Sequence, residues 1–206
     1  MDSLFRKLQN NLVQEFALEN SFKLVVEIGG THQINNRQFF GADTTYILTN
    51  LKGEDCDQVE DITQLSFGSN NIESILCISV LQHVFDFNKG IDEILRVLKP
   101  GGKALITNGF MFPVCMKQDF FRFTPAFWEE RLRNEQVTFR IISVGNQYHS
   151  IENSLMRPYN KIGGLKGVVN KFMAIFFRIF RYFYHKLDSA PMGVAVIIEK
   201  NIQLYR

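Results

Sequence analysis

The feature that most narrows the folds open to this chain is an alternation of short apolar runs and helical patterns between residues 23 and 107. Lys23-Leu-Val-Val-Glu-Ile28 is a short apolar run closed by Gly29-Gly30, the pattern of a buried parallel strand ending in a tight turn. A short helix is predicted around Asn35 to Phe40. Thr44 to Thr49 is β-branched and aromatic and reads as a second strand, and Ser74 to Ser79 as a third. Gly90 to Leu98 places apolar residues at 91, 94, 95 and 98 on one helical face. Lys99-Pro-Gly-Gly102 is read as its stop, because proline cannot continue a helix and glycine accepts the turn. Lys103 to Thr107 reads as a further strand, and Val137 to Val144 and Gly193 to Glu199 as two late ones. This order predicts an α/β fold with a mainly parallel sheet. In such sheets ligands bind beyond the carboxyl ends of the strands, so the residues that follow each early strand are the candidates for function.

With 206 residues, 46% of them hydrophobic and 21% charged, the chain is long enough to bury one core without staples. Cys56, Cys77 and Cys115 are odd in number, widely spaced and without a CxxC pair, which argues against a disulfide framework or a four-ligand zinc site. A reducing compartment is expected. Residues 3 to 19 carry Leu4, Leu8, Leu12, Val13 and Phe16 at helical spacing and read as a leading amphipathic helix, without the apolar core of a signal peptide. No stretch reaches the length of an uncharged transmembrane helix.

The strand ends carry a recurring set of residues. Glu27-Ile-Gly29-Gly30-Thr31 follows the first strand, and Asn50 ends the second, 23 residues beyond Glu27. Glu60-Asp61-Ile62 comes next, then Ser79-Val80-Leu-Gln-His83-Val-Phe-Asp86, then Arg96-Val-Leu-Lys-Pro-Gly-Gly102 before a strand. In order and spacing the series resembles the class I S-adenosylmethionine-dependent methyltransferases, in particular the type 11 group, over residues 22 to 145. Asp119-Phe-Phe-Arg-Phe-Thr-Pro125 also resembles a segment of members associated with glycan biosynthesis.

The resemblance implies a Rossmann-like methyltransferase fold, with a mainly parallel seven-stranded sheet and helices on both faces. It divides the single domain into a leading helix (1–21), a cofactor-binding core (22–145), a basic aromatic helical insertion (146–192) and a last strand (193–200). S-adenosyl-L-methionine is the implied cofactor. By resemblance, Gly29, Gly30 and Thr31 form its loop, followed by a helix N-terminus. Glu27 holds the methionine end, Asn50 stands at the ribose position, and Asp61 with the Ile62 backbone lies near the adenine. Ser79 and Val80 lie beside the sulfonium, and His83 lies in the helix that begins there. Two departures stand out. Thr31 and Gln33 occupy later glycine positions of the family loop, and Asn50 lacks the family carboxylate, which would accept a stronger hydrogen bond.

The implied reaction is methyl transfer to a small-molecule acceptor, a sugar or lipid-linked glycan intermediate. The alternative is a non-catalytic methyltransferase-like protein with a degenerate cofactor site that binds a partner or a membrane. Candidate catalytic groups are His83 and Asp119, with His32 and His149 as further bases, and Arg122 is a candidate substrate anchor for a phosphate or carboxylate. For Asp119 and Arg122 a structural ion pair inside an aromatic-rich lid is the competing reading. Nothing in the sequence suggests a metal site, an NAD-type G-x-G-x-x-G turn or a P-loop.

The net charge of +2 conceals a segregation. Between Asn153 and Leu187 stand Arg157, Lys161, Lys166, Lys171, Arg178, Arg181 and Lys186 and no acidic residue, so the remainder is net −5. Val168 to Leu187 reads as a helix with a wide apolar face, and Lys171, Arg178 and His185 share one stripe on it. The expected partners are a peripheral membrane surface or a second copy of the chain through residues 168–187, and no nucleic acid, with packing of the helix on its own domain as the competing reading. The expected place is the cytoplasm, with peripheral contact at the inner membrane face.

Overall fold

The protein is described by a computed structural model covering residues 3–114, 116–151, 165–183 and 191–202. Its centre is a seven-stranded sheet built from β1 (Leu24–Ile28), β2 (Thr45–Asn50), β3 (Gln58–Val59), β4 (Ile72–Ile78), β5 (Leu98–Gly109), β6 (Val137–Val144) and β7 (Gly193–Lys200). The order across the sheet is β3-β2-β1-β4-β5-β7-β6. All pairs are parallel except β5 with β7 and β6 with β7. The mainly parallel sheet expected from the sequence is present.

Among the described residues it is accompanied by α1 (Leu4–Leu18), α2 (Phe87–Val97), α3 (Pro125–Leu132) and α4 (Leu165–Phe183), and residues 147–151 are also helical. Ser3 caps α1, its Oγ accepting from Arg6 N at 3.2 Å. Thr124 Oγ1 caps α3 by accepting from Phe127 N, and Pro125 sits in the first turn, where its missing N–H costs nothing. One face of the sheet packs against α2 and α3 through Ile91, Ile94, Trp128 and Leu132. The other packs against α1 through Phe5, Val13 and Phe16, with Phe39 and Phe40 alongside.

Several local expectations are corrected. The helix expected at 35–40 is only a 3-10 turn, Arg37–Phe39, so no α-helix N-terminus follows the glycine turn. Fewer than 20 residues join β1 to β2, and they are held by side-chain hydrogen bonds of Asn35 and Asn36 rather than by a helical ladder. His83 ends a separate 3-10 turn, Leu81–His83, and α2 begins only at Phe87. Lys99 to Gly102 is not a break between helix and strand but a bulge inside β5. Ile72 pairs with Leu98, yet Ser74 pairs with Lys103, so the extra residues loop out of register. Gly101 takes φ +75° there, and a Cβ on Gly102 would lie 2.8 Å from the Lys99 carbonyl oxygen. The basic aromatic helix begins at Leu165 rather than Val168, and its expected end at Leu187 lies outside the described residues. So do Cys115, Arg157, Lys161, His185 and Lys186, and the side chains of Lys166 and Arg181.

Candidate active site

Register fixes which residues meet at the carboxyl edge. Ile28 pairs with Thr49 and with Cys77, and Ile78 pairs with Thr107. Gly29 and Ser79, just past β1 and β4, therefore stand in a row with Asn50 at the end of β2 and Asn108 near the end of β5. Gly29 is exposed at φ +78°, a left-handed conformation that glycine adopts without strain. A Cβ there would sit 2.5 Å from Val80 Cγ2, so Val80 packs directly on the turn. Gly30 is equally confined, because its Cβ would meet Leu48 Cδ1 at 2.4 Å. Ser79 is held at φ +60°, uncommon for a residue with a side chain. Its amide donates to the Thr107 carbonyl and its hydroxyl accepts from Gln9 Nε2 at 2.7 Å.

Glu27 points inward from β1. Its carboxylate accepts from Asn36 N at 2.9 Å, Asn36 Nδ2 at 2.6 Å and Tyr46 Oη at 2.5 Å. Burial raises its pKa, and these hydrogen bonds oppose the rise. The Tyr46 phenol is also pushed upward, first by burial and then by the Glu27 charge. Thr31 turns back on itself, its amide donating to the Ile34 carbonyl and its Oγ1 accepting from Ile34 N. Asn50 is half-buried and donates from Nδ2 to the Gly30 carbonyl at 2.9 Å. Asp61 is exposed, and its Oδ1 accepts from both the amide and the hydroxyl of Thr63 at 2.8 Å. The Ile62 side chain beside it is buried in the core under α2.

His83 Nδ1 lies 3.0 Å from the Gln118 carbonyl oxygen, and Nε2 lies 3.4 Å from the Gln82 amide nitrogen. A carbonyl only accepts, so Nδ1 carries the hydrogen, and in the neutral ring the Nε2 lone pair accepts from the Gln82 amide. Asp119 and Arg122 pair with each other. Arg122 Nη2 donates to Asp119 Oδ2 at 2.8 Å, Nη1 donates to Oδ1, and the guanidinium also donates to the Phe121 and Phe112 carbonyls. The Asp119 side chain is fully enclosed. The pair thus closes the 110–123 segment, whose Phe121 and Phe123 meet Phe87 of α2 edge to face. His32 is exposed with Nε2 3.9 Å from Asp57, and His149 Nδ1 is bound to Asn146, so neither joins His83 in a cluster.

Three residues at this edge escaped the sequence reading. Gln9 is 2% exposed and donates from Nε2 to the hydroxyls of Ser79 and, at 2.6 Å, Thr107. Its signal was its place between Phe5 and Val13, four residues from each on the buried stripe of α1. Gln82 Oε1 accepts from Gly109 N, and its carbonyl accepts from Phe120 N and Phe121 N. Asn108 is buried with both amide atoms unpartnered among the described residues. Nothing local in the sequence marks Gln82 or Asn108.

The row fits the nucleoside end of an S-adenosyl ligand. Gly29 is open backbone, and the Asn50 amide oxygen meets no donor among the described residues and is a neutral acceptor. The fit is poorer at the amino-acid end, where Glu27 and the Thr31 amide already hold partners within the chain. A separate concavity of about 530 Å³, lined by Asp92, Arg96, Glu135 and Lys200, lies where β6 begins and β7 ends, at the opposite edge.

The sequence model of the family described as a methyltransferase domain matches residues 36–106, beginning just past the glycine turn. A demethylmenaquinone methyltransferase of Bacteroides fragilis is 31% identical over 102 residues, covering 43% of this chain and 41% of that protein. One of Clavibacter sepedonicus is 41% identical over 54 residues, covering 24% and 22%. The chain thus spans less than half the length of these curated relatives. Among solved structures, the [4+2]-cyclase SpnF superposes with a TM-score of 0.62 at 16% identity, over 95% of this chain and 81% of that one. The phosphoethanolamine N-methyltransferase 2 of Haemonchus contortus, solved with S-adenosyl-L-methionine, gives a TM-score of 0.56 at 16% identity, over 94% and 52%. These likenesses concern the fold, and a cyclase among them illustrates that one fold serves several reactions.

Proposed function

We propose that this chain, which carries the methyltransferase-domain signature and the S-adenosylmethionine-dependent methyltransferase fold, transfers a methyl group to a small-molecule acceptor. The observation that carries the reading is the row at the carboxyl edge: Gly29 open and left-handed, Asn50 with an amide oxygen that meets no donor among the described residues, and Ser79 pinned left-handed next to them. In this reading Asn50 holds the ribose, the Gly29 backbone and Val80 border the methionine arm, and Asp61 and Ile62 lie toward the adenine. Bound S-adenosylmethionine supplies an electrophilic methyl group. The chain's own task is then alignment and, where the acceptor carries a proton, its removal. His83 Nε2 is the proposed base, since the Gln118 carbonyl fixes the proton on the other ring nitrogen. Asp119 orients Arg122 rather than acting as a base, and Arg122 keeps the aromatic segment closed over the β5 end.

The acceptor we favour is a lipid-linked small molecule. Support comes from the exposed Phe85, Met111, Val114 and Phe120 near this edge, and from relatives named for demethylmenaquinone. A lipid-linked glycan intermediate, suggested by the Asp119–Pro125 segment, and a demethylmenaquinone-like quinol are the two acceptors to try. One observation favours a second reading, a non-catalytic protein: the Glu27 carboxylate and the Thr31 amide are already engaged within the chain.

Calorimetric titration with S-adenosylmethionine and S-adenosylhomocysteine separates the two. Micromolar binding supports the enzyme, and no binding to the folded protein at millimolar ligand supports the non-catalytic reading. Given binding and turnover, His83→Gln should leave cofactor affinity unchanged and lower kcat by about a hundredfold or more. An unchanged kcat would remove His83 as the base.

A further inference from the structure

The helix α4 lies in the connection from β6 to β7. Gly193 at the start of β7 pairs with Val144 and with Gly109, so this connection leaves and re-enters the sheet at the carboxyl edge. That is the edge of Gly29 and Ser79. Along α4 the apolar residues Val168, Val169, Phe172, Met173, Ile175, Phe176 and Ile179 are exposed, Phe172 by 70% and Ile179 by 55%. At the angular step of an α-helix they share an arc of about 160°. Lys171 and Arg178, seven residues apart, flank one margin of that arc. An apolar face this wide is uncommon on a surface that meets only water.

Charge decides between the possible covers. Residues 153–187 carry seven basic side chains and no acidic one, and among the side chains described on α4, Lys171 and Arg178 set positive charge along one margin of the apolar arc. An antiparallel two-fold pairing of α4 with its copy would set this basic margin against itself. An anionic lipid surface would meet both features at once, the apolar arc entering the acyl boundary and the basic side chains reaching the phosphates. No helix among the described residues is long and apolar enough to cross a membrane, and the basic residues along α4 suit it to lie in the surface plane.

We propose that α4 is an interfacial helix that docks this protein on an anionic bilayer, with the carboxyl edge of the sheet turned toward the headgroups. The inference stands apart from the methyltransferase reading, because it needs neither cofactor nor turnover. The test is co-sedimentation of the full chain with phosphatidylcholine vesicles, with and without phosphatidylglycerol. The protein should sediment with the anionic vesicles only and come off as salt rises. Lys171→Gln with Arg178→Gln should weaken binding roughly 25-fold, about fivefold for each charge removed. Phe172→Ser with Phe176→Ser should abolish binding, with an unchanged circular dichroism spectrum showing that the fold is intact. Absence of sedimentation with anionic vesicles overturns the proposal, and so does equal binding to neutral ones. A dimer seen by light scattering that Phe172→Ser with Phe176→Ser dissociates, in a protein that ignores vesicles, would assign the face to a second copy instead.

Discussion

Asn50 shows how one atom changes the properties of a site. Its Nδ2 donates to the Gly30 carbonyl, which ties the end of β2 to the glycine turn at the end of β1. A carboxylate at this position accepts a ribose hydroxyl more strongly, but it cannot make that bond and would face the Gly30 oxygen. Asn50→Asp should therefore lower the unfolding free energy by about 1 kcal/mol, the net worth of one ordinary hydrogen bond, measured by urea denaturation. In the same variant, affinity for S-adenosylhomocysteine should rise in calorimetry. A variant that gains affinity with no loss of stability would show that the amide's link to Gly30 carries no weight. The neutral side chain was legible in the sequence; its bond to Gly30 was not, since it spans 20 residues.

At the scale of elements, α2 does more than cover the sheet. Arg96 Nε and Nη2 grip the two oxygens of Glu93 at 2.6 and 2.8 Å, and the guanidinium also donates to the Leu65 and Phe67 carbonyls. Glu93 in turn accepts from Leu65 N at 2.8 Å. One helical turn therefore pins the 65–69 loop, which leads from Asp61 and Ile62 into β4. Both side chains are partly exposed, so solvent screening reduces what the ion pair contributes. Arg96→Met leaves two carbonyls and a carboxylate without their donor and should cost about 2 kcal/mol, read from the urea midpoint at constant m-value. A shift within error would reassign the loop's anchoring to Leu65 and Ile62 packing in the core.

Across the whole molecule, the part-exposed Glu93 and the buried Glu27 give the fold opposing pH dependences. The Arg96 hydrogen bonds hold Glu93 below its ordinary value of 4.5. Its stabilisation is therefore complete above that pH and is lost as pH falls through the lowered folded value. For Glu27, burial is the largest influence and raises the folded value above 4.5. Its protonated form favours the native state, so that contribution is complete below 4.5 and is lost as pH rises through the folded value. Urea denaturation from about pH 3 to pH 7 should show opposite trends. With rising pH the wild type should gain stability relative to Glu93→Gln and lose it relative to Glu27→Gln. Parallel curves for wild type and Glu27→Gln would mean that Asn36 and Tyr46 fully offset the burial of the carboxylate. Burial also pushes the Cys77 thiol up to about 12, in keeping with a packed rather than a reactive cysteine.

Strands β1, β2, β4 and the end of β5, the helices α1 and α2, and the edge where chemistry would gather were legible in the sequence, whereas the two-residue β3 and the helix α3 were not. Periodicity and glycine placement record whether each residue faces the core, and that is a local property. What only the tertiary structure decided are contacts between distant positions. Gln9 reaches Ser79 and Thr107 across 70 and 98 residues. Asn36 and Tyr46 enclose Glu27, and Lys99 to Gly102 loops out within a strand instead of ending a helix. The partner of a polar side chain depends on which segments the fold brings together. No local spacing encodes it, because the energy of the bond appears only after the sheet and α1 have packed.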